Sequence, residues 1–132
     1  DLFLEEGFEF IDKFFQGSLA ELQDRNPDIE TRYRRVDGNA FIAAIYRNGA
    51  KIAACGIRLG GMHGKSINYS DGDHAPTGSC NESLFVEHDD QKLYFRPLMS
   101  GLHGAAPEDP NMSHEGAAEY FWALLIGPQQ GH

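Results

Sequence analysis

No run in this chain approaches the roughly 20 consecutive apolar residues of a bilayer-spanning helix, and no basic-then-apolar leader is visible. The sequence therefore predicts no membrane partner. Basic charge is scarce as well: eleven Lys and Arg face twenty Asp and Glu, for a net charge of −9. That balance argues against a general nucleic-acid binder, which needs a basic surface. Cysteine is limited to Cys55 and Cys80, too few for a disulfide framework, although a single bridge stays open. Cys55 lies in the apolar run Lys51–Ile57 and is expected to be a buried thiol. Zinc-type spacings are missing: no Cys-x-x-Cys, His-x-x-x-His or His-Glu-x-x-His occurs among the six His and two Cys. The sequence thus calls for no cofactor, and a cytoplasmic location is the expectation.

Aromatic and aliphatic residues, by contrast, are plentiful. Nine Phe, five Tyr and one Trp contribute to a 41% hydrophobic content in 132 residues. A chain of this size forms one domain and buries about two-thirds of its unfolded surface, so it folds without metal or disulfide. Its start at Asp1 suits a domain excised from a longer protein. Leu4, Phe8, Ile11, Phe15, Leu19 and Leu22 recur at three- and four-residue spacing, which predicts a helix over 2–25. Asn26-Pro27 closes it. Strands are expected over Ile29–Val36, Phe41–Arg47 and Lys51–Leu59, with Asn48-Gly49 as a type I′ hairpin turn. A short strand at Ile67-Asn68-Tyr69 and a hairpin of Ser83–His88 with Lys92–Pro97 follow. Ser113 should cap a final helix that Gly127-Pro128 stops. The result is an α+β fold: a two-layer sandwich, with an antiparallel sheet of about five strands and both terminal helices on one face.

Charge is unevenly laid out. Residues 1–30 carry −7, residues 31–65 carry +6 and residues 66–132 carry −8. The central hairpins thus form a basic zone in an acidic molecule. Arg32 and Arg34 share a strand face by the period of two. Arg58 and Arg96 join them if the register allows, and guanidinium groups bind phosphate and carboxylate bidentately. Arg32, Arg34, Arg58 and Arg96, with His63 and Lys65 from the glycine loop, are the candidate site for a small anionic, nucleotide-like ligand. The competing reading is a solvated face of ion pairs, each of which contributes only roughly 0–1 kcal/mol.

Most motif resemblances dissolve on inspection. Gly60-Gly61-Met62-His63-Gly64-Lys65-Ser66 misses P-loop spacing by one residue, and strand-like residues follow it where a helix is needed. Asp71-Gly72-Asp73-His74 begins like a calcium loop and does not continue as one. No Gly-x-Ser-x-Gly elbow is present, and nothing completes a Cys80–His74 nucleophile pair, so no catalytic residue is assigned. Phe3, Phe10 and Phe14 widen the apolar stripe of the first helix and are candidate interface residues.

Arg25-Asn26-Pro27-Asp28-Ile29, Arg35–Phe41, Asn81–Glu87, Leu93–Met99 and Glu115–Trp122 together resemble a C-terminal module found beside TIR domains in bacterial proteins. The resemblance spans most of the chain and contains no mechanistic motif. It implies a non-catalytic sensor or assembly domain whose partner, an effector domain in the parent chain, performs the chemistry, such as NAD cleavage in defence signalling. Two other readings stand beside it. One is a docking or self-association domain that uses the first helix. The other is a small hydrolase or metal enzyme built on the histidines and the loops over 70–82 and 99–113.

Overall fold

The computed structural model describes residues 2–60, 65–76, 81–99 and 111–130, with side chains to 127. Helix α1 (Leu2–Arg25) is followed by β1 (Ile29–Asp37), β2 (Ala40–Arg47), β3 (Ala50–Leu59), β4 (Ser66–Asp71), β5 (Glu82–His88), β6 (Leu93–Pro97) and helix α2 (His114–Gln130). The strands form one antiparallel sheet in chain order. The fold is the expected α+β arrangement with terminal helices on one face, and the sheet has six strands rather than about five. Pairing on both sides extends the short Ile67-Asn68-Tyr69 segment into β4: Tyr69 faces Ile57 on one flank and Glu82 on the other.

Local signals account for the turns. Asn48 and Gly49 both take positive φ, 51° and 83°, as a type I′ turn requires. The Ser113 hydroxyl accepts the Gly116 amide at 3.1 Å and caps α2. The end of α2 departs from expectation, because the helix continues through Gly127-Pro128 to Gln130. A proline lacks the amide that would close one ladder bond, and here that bond falls in the last turn of the helix.

Phe8 and Phe15 of α1 pack on Phe41 of β2, and Phe121 of α2 packs on Tyr69 of β4. Phe41, Ile57 and Tyr69 are register neighbours, so both helices cover the same side of the sheet. Cys55 is buried in that layer, and burial pushes its thiol pKa up, which makes it a packing residue. The two sheet edges differ. Beside β6, Met112 exchanges both backbone hydrogen bonds with Phe95. Among the described residues no strand pairs with the outer side of β1. Among the described residues no helix is long and apolar enough to cross a membrane.

Candidate functional site

Alternation along β1 sorts its side chains. Tyr33 and Arg35 point to the helices: the Tyr33 ring lies 5.6 Å from that of Phe41, and Arg35 reaches Asp12 and Glu9 of α1. Arg32 and Arg34 therefore face the other way. Register carries that outer face across the sheet. Arg34 pairs with Ile42, Ile42 with Gly56, and Gly56 with Ser70. Arg58 pairs with Ala40 and Asn68, Asn68 with Ser83, Ser66 with Phe85, and Phe85 with Arg96. All four candidate arginines thus share one face.

They do not form one cluster. Strands lie about 4.8 Å apart, so Arg96 on β6 stands roughly 14 Å from Arg58 on β3. Arg58 is committed elsewhere: its Nε donates to the Pro76 carbonyl at 3.0 Å and its guanidinium pairs with Asp37 at 3.2 Å. It holds the segment after β4 against the sheet. Gly56 makes that contact sterically possible, since a Cβ there would sit 1.9 Å from the His74 carbonyl oxygen. Lys51 pins the same segment through Asp73 at 2.7 Å. That hydrogen bond raises the Lys51 pKa and lowers that of Asp73.

Residues 72–76 therefore act as a wall on the outer face. Between this wall and β1 lies an open trough of about 520 Å³. Ile42 and Ala44 lie along it, Asp73 stands on one side and Arg32 and Arg34 on the other. Tyr46 closes the lining, with the Arg32 guanidinium 5.3 Å from its ring centroid. Arg32 has a loose partner in Glu30 at 3.9 Å, both highly exposed, and Arg34 makes no ion pair with any described residue. Alternate residues of a strand stand about 7 Å apart, a spacing suited to two anionic groups of one ligand. The apolar lining and Tyr46 suit a flat or apolar portion, and Asp73 suits a hydrogen-bond donor. Lys65 is exposed before β4 and does not line the trough. His63 lies outside the described residues, as do Cys80 and His103.

The aromatic surplus of α1 is mostly internal. Phe3 packs on Phe95 at 4.8 Å and on His114 at 4.5 Å, and Phe14 packs against the core. Only Phe10 of the three is exposed, beside a hollow lined by Glu5, Glu6, Glu9, Lys13 and His114. Phe10 is 39% exposed and stacks on Phe14, so Phe10→Asp is expected to cost about 0.5–1.5 kcal/mol. Phe3 is partly buried, and Phe3→Asp removes its ring contacts with Phe95 and His114, at an expected cost of about 1–3 kcal/mol in urea unfolding. Light scattering of the Phe10 variant tests the docking reading, because lost association would tie it to this residue.

Sequence reasoning passed over two buried polar clusters. Asp12 is 3% exposed and joins Tyr33 and Arg35. Glu82 is 1% exposed and accepts hydrogen bonds from the Tyr120 hydroxyl, the Ser83 amide and the Met99 amide. An available signal for the first was its place in the apolar stripe, four residues after Phe8. Ser66 opens a strand rather than a helix, which removes the P-loop likeness. Among the described residues no three His, Cys, Asp or Glu gather as a metal site requires.

Comparison with known sequences gives a family. The model for the Y4lF protein domain matches residues 30–127, from β1 into α2. The chain belongs to the Y4lF domain family. The uncharacterized protein y4lF of Sinorhizobium fredii (strain NBRC 101917 / NGR234) is 45% identical over 132 residues, covering 99% of this chain and 41% of that protein. This Y4lF chain thus spans about two-fifths of that relative's length. No solved structure matches it. The matched Y4lF region contains every residue of the trough.

Proposed function

We propose that this Y4lF domain is a non-catalytic sensing module of a larger bacterial signalling or defence protein, and that it binds a small nucleotide-like anion in the trough over β1 and β2. The observation that carries the reading is the pair Arg32 and Arg34, side by side on one face beside an apolar lining, in a chain of net charge −9. Surface arginines without function pair readily with the many available acids, yet Arg34 pairs with none among the described residues. The likeness to modules beside TIR domains supports a regulatory role, with the chemistry performed by an effector domain in the same longer chain. The 41% coverage of the rhizobial relative supports a longer parent. A cytoplasmic setting accords with a nucleotide ligand.

The test is thermal unfolding of the domain against a broad panel of nucleotides. A binder present at about 100 times its Kd stabilises by roughly 2.7 kcal/mol, a clear rise in Tm. Arg32→Ala with Arg34→Ala should abolish the rise, and Arg96→Ala should leave it unchanged. A flat response to the whole panel, or a rise that survives the double substitution, overturns the reading.

A further inference from the structure

The two edges of the sheet are finished differently. Met112 occupies the outer side of β6 through paired backbone bonds of 2.8 and 2.9 Å with Phe95. Among the described residues the outer side of β1 has no such cover. Thr31 shows which backbone groups face outward there: its amide turns away from β2 and donates to Gln23 Oε1 at 2.7 Å. Antiparallel pairing alternates inward and outward groups, so the amides of Tyr33 and Arg35 also face outward. Neither donates to any described side chain. The open stretch is short, closed by Gln23 at one end and by the register shift between Arg35 and Asp37 at the other.

Charge defines what fits. Arg32 and Arg34 flank the outward amide of Tyr33, and among the described residues the one carboxylate in ion-pair range of either is Glu30, 3.9 Å from Arg32. A second copy of this chain pairing β1 against β1 would set arginines against arginines, which is unfavourable across a strand pair. A strand with acids on alternate residues would set carboxylates against them instead. We propose that the free edge of β1 receives an acidic extended peptide segment as a seventh strand, held by the backbone of Tyr33 and Arg35 and by Arg32 and Arg34. Strand addition of this kind draws affinity from main-chain hydrogen bonds and specificity from alternate side chains. The site adjoins the trough and shares Arg32 and Arg34 with it; what sets it apart is its use of the edge amides of Tyr33 and Arg35 rather than the outer face of β2.

The experiment uses a short capped peptide in which Glu alternates with Val, titrated into the labelled domain and followed by amide NMR and hydrogen exchange. Tyr33 and Arg35 amides should shift and exchange at least tenfold more slowly, while nucleotides should instead perturb Ile42, Ala44 and Tyr46. Two complementary peptides, N-methylated on the odd or on the even residues, separate strand pairing from simple charge attraction: one should bind and the other should not. Arg32→Glu with Arg34→Glu should weaken binding at least tenfold and favour a Lys–Val peptide. Equal binding of the two methylated peptides, no response at Tyr33 and Arg35, or a concentration-dependent dimer through β1 overturns the proposal.

Discussion

Gly56→Ala is expected to lower the melting temperature by about 10 °C and to free residues 72–76 from the sheet. The added Cβ would lie 1.9 Å from the His74 carbonyl oxygen, 2.7 Å from its carbonyl carbon and 3.0 Å from the Ala75 Cα. These are backbone atoms, so no rotamer change relieves the clash and the segment must move. Forced insertions of this kind cost about 1–3 kcal/mol, and in a domain of this size each kcal/mol shifts Tm by roughly 3–6 °C. Displacement also breaks the bond from Arg58 to the Pro76 carbonyl and strips the wall from the trough. Limited proteolysis should then cut within 72–76, where the parent protein resists. Arg58→Ala releases the same segment from a second contact, so the two substitutions together should cost less than their sum. An unchanged Tm with an uncut segment would mean that this wall is not held as described.

Asp12→Ala has the second large expected effect, about 2–4 kcal/mol in urea unfolding. Asp12 is buried and joins α1 to β1 through the Tyr33 hydroxyl and the Arg35 guanidinium. Removing one member of a buried ion pair leaves the other without compensation. Arg35 keeps Glu9 at 3.2 Å and is one-third exposed on its side chain, which limits the loss. The same cluster leaves a signature in alkali. Burial, and then the hydrogen bond to Asp12, push the Tyr33 pKa from 10.0 up to about 12. The folded state therefore holds that proton more tightly than the unfolded state does. The contribution is fully present below pH 10.0 and is lost as the pH rises through about 12. Tyrosinate absorbance should show this step in the parent, and Tyr33→Phe should remove it. Asp12→Ala should move it toward lower pH while burial holds it above the ordinary tyrosine value. A step at the same pH in the Asp12→Ala protein would disconnect the two groups.

Much of the architecture is legible along the chain because its causes are local. The stripe from Leu4 to Leu22 needs only the helical period, and Asn48-Gly49 needs only the ease with which those residues take positive φ. β4 is only partly legible, since Ser66 and Ser70 lie outside the short strand expected at Ile67-Asn68-Tyr69 and join it by pairing with Phe85 and Gly56. The site was harder to read. Arg32 and Arg34 fall on one face, because i and i+2 on one strand always do. Arg58 was grouped with them by charge alone. What assigns it a different task is a carbonyl eighteen residues later in sequence, at Pro76. Arg35, adjacent to Arg34, faces the opposite layer and meets Asp12 across a helix–sheet contact that no spacing rule anticipates.

By itself the sequence determined the element order, the hairpin geometry, the helix cap at Ser113 and the acidic character that argues against nucleic-acid partners. These follow from periodicity, backbone preference and charge, which act over a few residues or over the whole chain at once. Tertiary structure alone decided which arginines remain available, which aromatic of α1 stays outside and which sheet edge is left open. Each of those outcomes depends on contacts between residues distant in sequence, where a register or the path of one segment over Gly56 selects the partner.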